Sequence, residues 1–253
     1  MRHILKLLLF FLILSCSTKK DVLLIQDSAN FSEYKLNFKV ITIQPDDILR
    51  IKVSSKSPEL TSLYSYQQNT SISSNTIQGY QIEGYLVNSD GFVNIPALGP
   101  IFIKGLTLSE ASEAIKMRLF EQEDLKNVTV DVRIVNTYFT IIGEINSPGR
   151  YSFLENNMNI FQALGIAGDL TINGKRSDVR ILRKNNGVLK VNSLDLTSSE
   201  LLNSENFQVF PGDVIIVNPN SSRVKNAGII GNSGNLLSVL SFILSSLILI
   251  TSQ

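Results

Sequence analysis

The chain has 253 residues, one cysteine, one histidine and a formal net charge of +1, from 23 Lys and Arg against 22 Asp and Glu. This length allows one large domain or two small ones, and the near-neutral charge lacks the basic balance typical of nucleic-acid-binding domains. One cysteine excludes a disulfide within the chain, and so few His and Cys residues exclude most zinc sites, Ser-His-Asp triads and Cys nucleophiles. We therefore expect no nucleic-acid partner, no metal and no cofactor.

Residues 1–15 have the parts of a secretory signal peptide: Arg2 and Lys6 supply positive charge, and a mostly apolar run follows. The run ends in LILSC, residues 12–16, which resembles the lipobox of bacterial lipoproteins. Cys16 would then carry acyl chains such as palmitate, and each buried methylene adds about 0.8 kcal/mol of membrane affinity. We predict that Cys16 is the lipid anchor; an incidental or buried cysteine is the alternative.

Residues 16–40 are polar with scattered apolar residues, and they predict a lipidated tether leading into the first domain. The first ordered element is expected at 47–54, a run rich in Ile, Leu and Val. Proline fixes its own φ, and aspartate side chains accept hydrogen bonds from nearby backbone amides. We therefore assign Pro45 and Asp47 to a structural turn before this strand.

The rest of the first unit combines short strands with one helix. A hairpin is expected around 85–95, with its turn at Gly91, and a further short strand at 101–104. A helix is expected over 107–120, because it begins with the Thr-x-x-Glu spacing of a capping box and continues with apolar residues at helical spacing. The alternating valines of 127–135 predict a half-buried strand that closes the unit.

The second unit has a similar composition of strands around a helix. Residues 138–153 predict two strands joined by a turn at Pro148 and Gly149. A helix is expected over 159–167, ended by a glycine, and a hairpin over 179–191.

The turn-and-strand pattern at Pro45 and Asp47 recurs late in the chain. There Pro211, Gly212 and Asp213 precede the apolar run VIIVN. Two copies so far apart indicate two related units rather than an array of short repeats. The sequence therefore predicts an α+β fold of two domains.

The carboxy-terminal part differs from both units. Residues 221–235 are rich in Gly and Asn and predict a flexible joint, and 236–253 contain a charge-free apolar run. At about 1.5 Å per residue this run is about 24 Å long as a helix, which is short for an average bilayer and plausible for a thinner one. Ser238, Ser241 and Ser245 recur at helical spacing and are candidate pore-lining or helix-packing residues. A helix buried in a globular core is the alternative for a run of this length.

Three stretches together resemble the polysaccharide biosynthesis/export domain of outer-membrane capsule and exopolysaccharide exporters: ITIQPDDILRIKV, VNSDGFVNIPALGPIFIKGLTLSEASEAI and VTVDV. Three later stretches resemble the soluble-ligand-binding β-grasp (SLBB) domain that follows it in those proteins: FTIIGEINSPGRYSF, NIFQALGIAGDLT and VRILR. The resemblance implies an export domain over 41–135, one β-grasp domain over 136–220 and a C-terminal transmembrane helix over 236–253.

The same resemblance implies a function. The chain would be a lipoprotein subunit of a homo-oligomeric ring in the bacterial outer membrane, with its domains in the periplasm and its C-terminal helices completing a porin-like channel. Capsular or extracellular polysaccharide would pass through this passive, hydrated conduit. An inner-membrane polysaccharide co-polymerase, often coupled to a tyrosine kinase, would supply the drive, because the sequence has no phosphate-binding G-x-x-x-x-G-K-[ST] motif.

Two other functional classes remain as alternatives. A lipid-anchored monomeric module that binds a periplasmic glycan without forming a pore would need no terminal apolar helix. A glycoside hydrolase could use two of the carboxylates Asp46, Asp47, Asp90 and Asp213. Each of these aspartates lies in a turn signal, where it more commonly accepts backbone hydrogen bonds. We therefore expect that the protein is not an enzyme.

Overall fold

The computed structural model describes residues 22–27, 33–55, 84–96, 98–121, 127–185 and 187–226, together with 234, 237–239, 241–242 and 245–246. Within these ranges the chain forms two hydrophobic cores, one from residues 43–134 and one from residues 139–217. We call the two units the first and the second domain. Their mixture of sheets and helices confirms the predicted α+β class.

The first domain surrounds its core with a three-stranded sheet, a hairpin and a helix. Its elements are β1 (Ile48–Ser54), β2 (Tyr85–Leu86), β3 (Phe92–Ile95), β4 (Gly99–Phe102), α1 (Leu108–Phe120) and β5 (Thr129–Ile134). The sheet has the order β2-β1-β5, and β3 pairs with β4. Alternate residues of β1 and β5 are buried, because successive side chains of a strand point to opposite faces.

Helix α1 begins with the predicted capping box. The Glu110 amide donates to Thr107 Oγ1 over 3.2 Å, and the Thr107 amide donates to Glu110 Oε2 over 2.8 Å. These two bonds satisfy amides that have no partner within the helix. Ala111, Ile115 and Leu119, each four residues apart, lie on one side of α1 and are fully buried in the first core.

The second domain is built on a five-stranded sheet of order β7-β6-β10-β8-β9. Its elements are β6 (Tyr138–Gly143), β7 (Gly149–Ser152), α2 (Ile160–Ile166), β8 (Gly174–Asn185), β9 (Val188–Leu194), a 3₁₀ helix (Ser199–Asn203), β10 (Val214–Pro219) and α3 (Ser221–Asn226). Strand β10 runs parallel to β6 and antiparallel to β8. Helix α2 starts with a capping box formed by Asn159 and Gln162.

The two faces of this sheet have different surroundings. One face is buried with α2 in the second core: Phe139, Ile141, Val179, Ile181, Ile215 and Val217. The other face is called the open face below. The following side chains on it are at least partly exposed: Tyr138, Thr140, Ile142, Arg150, Arg180, Leu182, Lys184, Leu189, Val191, Val214 and Ile216.

Two predicted strands have different bounds in the structure. The predicted strand 101–104 is shifted to β4, because Ile103 and Lys104 donate their amides to the Gly91 carbonyl instead of continuing the ladder. The first strand of the predicted hairpin 179–191 is longer than expected, because β8 begins at Gly174. The first residues of β8 are polar and lack the alternation that predicts a strand. Arg176 is nevertheless buried there, and it donates to the Gly174 carbonyl over 3.1 Å.

The predicted joint and terminal helix are described only in part. The first residues of the joint form α3, where Asn220 Oδ1 accepts the Arg223 amide over 2.9 Å. The described positions beyond 233 are helical, and Leu237, Val239 and Phe242 are exposed. Among the described residues, no helix has the length and apolar content needed to cross a membrane. The signal peptide, Cys16 and most of 236–253 lie outside the described residues.

Candidate functional site

The Pro45 turn uses Asp47 as a backbone acceptor. Asp47 Oδ2 accepts the Gln44 amide over 2.8 Å, and Asp46 adopts a φ of 72° between them. Burial raises the pKa of the Asp47 carboxyl from its ordinary value of 3.8 to about 6. The carboxyl is directed at its own turn, so its raised pKa reflects packing beside the first core.

The turn before β10 places Asp213 in a similar but more deeply buried position. Asp213 Oδ2 accepts the Phe210 amide over 2.8 Å, and Gly212 adopts a φ of 82°. Arg183 of β8 donates to both carboxylate oxygens and lies 4.3 Å from the centre of the Phe210 ring. Burial raises the pKa of Asp213, and the Arg183 cation opposes this effect.

The other predicted turn residues also occupy tight turns. Gly91 has a φ of 89°, and an added Cβ there would lie 2.4 Å from the Lys104 Cβ. Asn88 closes this turn by accepting the Asp90 and Phe92 amides on its side-chain oxygen. Pro148 ends the loop between β6 and β7, and Gly149 is the first residue of β7, where it pairs with Ile141.

Asp47 and Asp213 each bind within their own turn. Asp47 belongs to the first domain and Asp213 to the second. Within the described ranges, no group of three or more His, Cys, Asp or Glu side chains is close enough to hold a metal ion. The geometry therefore gives these aspartates structural contacts.

Ser238 and Ser241 lie on the described part of the terminal run, and their hydroxyls bond to the backbone. Ser238 Oγ donates to the Gly234 carbonyl over 2.9 Å, and Ser241 Oγ donates to the Ser238 carbonyl over 3.0 Å. Ser245 is also helical. A serine that bonds to the preceding turn satisfies its own hydroxyl, so an apolar environment around such a helix carries little penalty.

The contact between the amino-terminal arm and the second domain was not predicted from the sequence. This arm, residues 22–27 and 33–40, packs on the second domain before the chain enters the first. Phe38 packs against the second core, with its ring centre 6.4 Å from that of Phe207. The Lys39 amide donates to Gln208 Oε1 over 2.7 Å, and Gln208 Nε2 donates to the Lys39 carbonyl over 2.9 Å.

The only sequence signal of this contact is weak. Leu36, Phe38 and Val40 alternate with polar residues in a way typical of a strand. In the structure Leu36 and Val40 are exposed, and Phe38 alone of these three packs against the core. The partners of the arm lie about 170 residues later in the chain, so local pattern carries no information about them.

The arm also borders a shallow groove of about 260 Å³. Its lining includes Lys35, Phe38, Lys39, Leu202, Glu205 and Gln208. Small-molecule sites commonly have volumes of about 300–1,000 Å³ and convergent polar groups. Lys39 and Glu205 already pair with each other over 2.8 Å, so this groove is better described as the seam between arm and domain.

The arm runs from one end of the second sheet to the other. We call the end where β6 and β10 begin the base, and the end where β10 finishes the top. The Ile25 amide donates to the Leu196 carbonyl at the top, where Leu196 in turn donates its amide to the carbonyl of Arg176, near the start of β8. Lys39 meets Gln208 at the base, because Gln208 also accepts from Arg183 beside the turn that precedes β10.

The position of the arm shows which segments lie at each end of the second domain. The first domain is joined at the base, since Ile43 enters its core a few residues after Lys39 and β6 begins a few residues after β5 ends. Helix α3 leaves at the top, directly after β10. Residues 22–27 and α3 therefore share the end of the second domain that is opposite to the first domain.

Comparison with known proteins gives a family match for the first domain. Residues 38–135 match the family described as polysaccharide biosynthesis/export protein. The first domain is therefore similar to the proteins of that family. The matched range begins with Phe38 in the arm and ends directly after β5, so it covers the whole first core and its connection to the base of the second sheet.

Two curated proteins that are similar to this chain are outer-membrane proteins by name. The chain is 28% identical over 140 residues to the EPS I polysaccharide export outer membrane protein EpsA of Ralstonia solanacearum, covering 54% of this chain and 37% of the relative. It is 29% identical over 104 residues to the protein of the same name from Ralstonia nicotianae, covering 40% of this chain and 27% of the relative. The matches thus span about a third of the length of these relatives.

Proposed function

We propose that this chain is a subunit of an oligomeric outer-membrane channel that exports capsular or extracellular polysaccharide through a passive, hydrated conduit. The observation that carries the proposal is the match of residues 38–135 to the polysaccharide biosynthesis/export protein family. The outer-membrane location and the polysaccharide cargo follow the printed names of the two relatives. In this proposal the chain lines the path of the polysaccharide and performs no catalytic step on it.

The course of the chain supports attachment to one membrane at one end. The predicted anchor Cys16 precedes residue 22 by six positions, and an extended chain of that length spans at most about 20 Å. The predicted helix 236–253 follows α3. Residues 22–27 and α3 are both at the top of the second domain, so a lipid on Cys16 and a terminal helix would enter the same bilayer. The export domain then projects into the periplasm.

A ring of such subunits meets the physical requirement of the cargo. A hydroxyl or carboxylate that loses water without gaining a partner costs several kcal/mol, so a hydrated polymer does not cross hydrocarbon. Several copies around an axis enclose water instead, with the export and β-grasp domains forming the periplasmic part and the terminal helices the membrane part. Ser238 and Ser241 satisfy their hydroxyls within the helix, which allows close packing against the helices of neighbouring copies.

The drive for export comes from a partner in this proposal. The sequence has no phosphate-binding G-x-x-x-x-G-K-[ST] motif, and Asp47 and Asp213 accept hydrogen bonds from their own turns. An inner-membrane polysaccharide co-polymerase, coupled to a tyrosine kinase, would deliver polymer to the export domain. The second domain, with its sheet and single capped helix, takes the role of the β-grasp (SLBB) unit between that entrance and the membrane.

Deletion of residues 236–253 tests the proposal against a tethered glycan-binding module. In the channel, the deletion abolishes detergent-stable rings and surface polysaccharide. If the chain is instead a monomeric glycan-binding module, glycan binding persists after the deletion, and the undeleted chain forms no ring either. A matched control replaces 236–253 with the same residues in scrambled order, which keeps length and hydropathy but moves the serines. Restored export by the scrambled tail would mean that the tail only anchors the chain, and would contradict a pore-lining role.

A further inference from the structure

The open face of the second sheet is apolar at positions where an uncovered antiparallel sheet is ordinarily polar. Ile142 is 42% exposed and Val191 is 58% exposed. In β6 and β10 the usual alternation fails: Ile141 and Ile215 fill the core, while their neighbours Ile142 and Ile216 stand on the open face. Water around these side chains is unfavourable, so the face is suited to contact with another surface.

Strand register places these side chains in two adjacent rows across the sheet. The first row is Arg150, Thr140, Val214, Leu182 and Val191. The second row contains Ile142, Ile216, Arg180 and Ser193. The apolar members are contiguous, and each row also carries one arginine. The open face is therefore an apolar surface with Arg150 on its edge strand β7 and Arg180 beside Ile216.

On the opposite side of the same domain, one side of α2 is exposed. Gln162, Gly165 and Ile166 are exposed on α2, and Ile166 is 48% exposed. A Cβ added at Gly165 would meet nothing within 4 Å. Glycine inside a helix costs about 0.5–1 kcal/mol relative to alanine, and the surrounding described residues give no steric reason for it. A helix without a side chain at this point allows a flat surface to approach its backbone closely.

The charges on the two sides are complementary. Residues 151–174, which contain α2 and its flanking loops, carry Glu155 and Asp169 but no Lys or Arg. The open face carries Arg150, Arg180, Lys184 and Asp178. Asp178 pairs with Arg180 over 3.5 Å, so the excess of positive charge on this face comes from Arg150 and Lys184. Opposite charges at the margins of an apolar contact fix its register and orientation.

We propose that the exposed side of α2 in one copy packs against the open face of the second sheet in the next copy of the chain. The two surfaces lie on opposite sides of one domain, so the contact is heterologous and repeats around a closed ring. Gly165 provides the close approach, Ile166 adds apolar area, and the acidic loops lie beside Arg150 and Lys184 of the sheet. The contact rests on the oligomeric channel proposed above and names the surfaces that join its subunits.

A larger side chain at the glycine tests the contact directly. Gly165→Gln adds a strong helix former into open space, so the full-length protein keeps or raises its unfolding temperature, while the ring is lost on native mass analysis of detergent extracts. Ser109→Gln, at an exposed position of α1, adds the same side chain outside the proposed contact and leaves the ring intact. Intact rings in Gly165→Gln would overturn the contact.

Thiol cross-linking determines which faces meet. The parent chain has Cys16 as its single cysteine, so it serves as the background control. With a short bifunctional thiol reagent, Ile142→Cys plus Ile166→Cys in one chain gives a ladder of covalent multimers, and either substitution alone gives none. Covalent dimers from Ile142→Cys alone would mean that sheet meets sheet. Rings without a ladder would overturn this contact only, whereas a monomeric parent would overturn the channel as well.

Discussion

Arg183 holds Asp213 through both carboxylate oxygens, with Nε to Oδ1 at 2.9 Å and Nη2 to Oδ2 at 2.7 Å. Asp213 is 1% exposed, and its Oδ2 also accepts the Phe210 amide. The same Nη2 donates to the carbonyl of Gln208, whose side chain binds the arm at Lys39. This ion pair therefore joins the turn before β10, strand β8 and the arm-binding segment at the base of the second domain.

Removal of the arginine alone is expected to destabilise the second domain strongly. Arg183→Met leaves the Asp213 carboxylate buried without its cation, which ordinarily costs about 3–5 kcal/mol in free energy of unfolding. Chemical denaturation of the full-length chain measures this loss. Arg180→Met is the control, because the Arg180–Asp178 pair is at the surface and is worth about 1 kcal/mol or less. Equal losses in the two variants would contradict the structural importance of the buried pair.

Asp47 is expected to make the first domain less stable as pH rises from about 4 to 6. Its folded-state pKa of about 6 lies above the ordinary value of 3.8, so the folded state binds more protons in this window. The difference corresponds to at most about 3 kcal/mol of stability lost on ionisation. Asp47→Asn keeps an acceptor for the Gln44 amide, so this variant is more stable than the parent at pH 7 and similar to it near pH 4.

Denaturation curves across this pH range provide the measurement for Asp47. Asp90→Asn, at an exposed turn of the same domain, is the matched control and retains the pH dependence of the parent. An unchanged slope between pH 4 and 6 in Asp47→Asn would show that another group is responsible.

Gly143 is expected to tolerate no side chain. It has a φ of 97°, and an added Cβ would lie 2.1 Å from the carbonyl oxygen of Val217 in the neighbouring β10. Gly187 also has a positive φ, of 80°, but a Cβ there meets nothing within 4 Å. Gly187→Ala should cost about 1–2 kcal/mol for the left-handed backbone alone. Gly143→Ala should cost clearly more, and similar unfolding free energies for both variants would contradict the close approach.

The arm contact is expected to depend on the amide group of Gln208. This side chain accepts from the Lys39 amide and donates to the Lys39 and Asn156 carbonyls. Gln208→Glu replaces the donor with an anion facing two carbonyl oxygens, at a cost of about 1–3 kcal/mol or more. Faster hydrogen exchange at residues 33–40 reports release of the arm. Gln162→Glu, which keeps the acceptor of an exposed capping box, should leave that exchange unchanged.

Sequence pattern predicted the elements whose determinants are local. The capping box of Thr107 and Glu110, which are only three residues apart, was predicted and is confirmed. For the second helix the range was predicted, but the capping box of Asn159 and Gln162 was not. The Pro45 and Pro211 turns likewise use an aspartate two residues beyond the proline. The contacts that hold the arm on the second domain could not be predicted from local sequence, since Lys39 and Gln208 are 169 residues apart.

The open face shows a second reason why sequence prediction was incomplete. The run VIIV was assigned correctly to a strand, but consecutive apolar residues do not reveal which of them face the core. Strand register was needed to place Ile216 beside Ile142 on one exposed surface. Likewise Gly165 is unremarkable in sequence, and only its position on the exposed side of α2 distinguishes it from a capping glycine.

End-on imaging of full-length particles extracted in detergent tests the central claim most directly. The account predicts closed rings with a central hole, made of copies of this chain, that disappear when residues 236–253 are deleted. Monomeric particles from the undeleted chain, with the tail folded against its own domains, would contradict the channel.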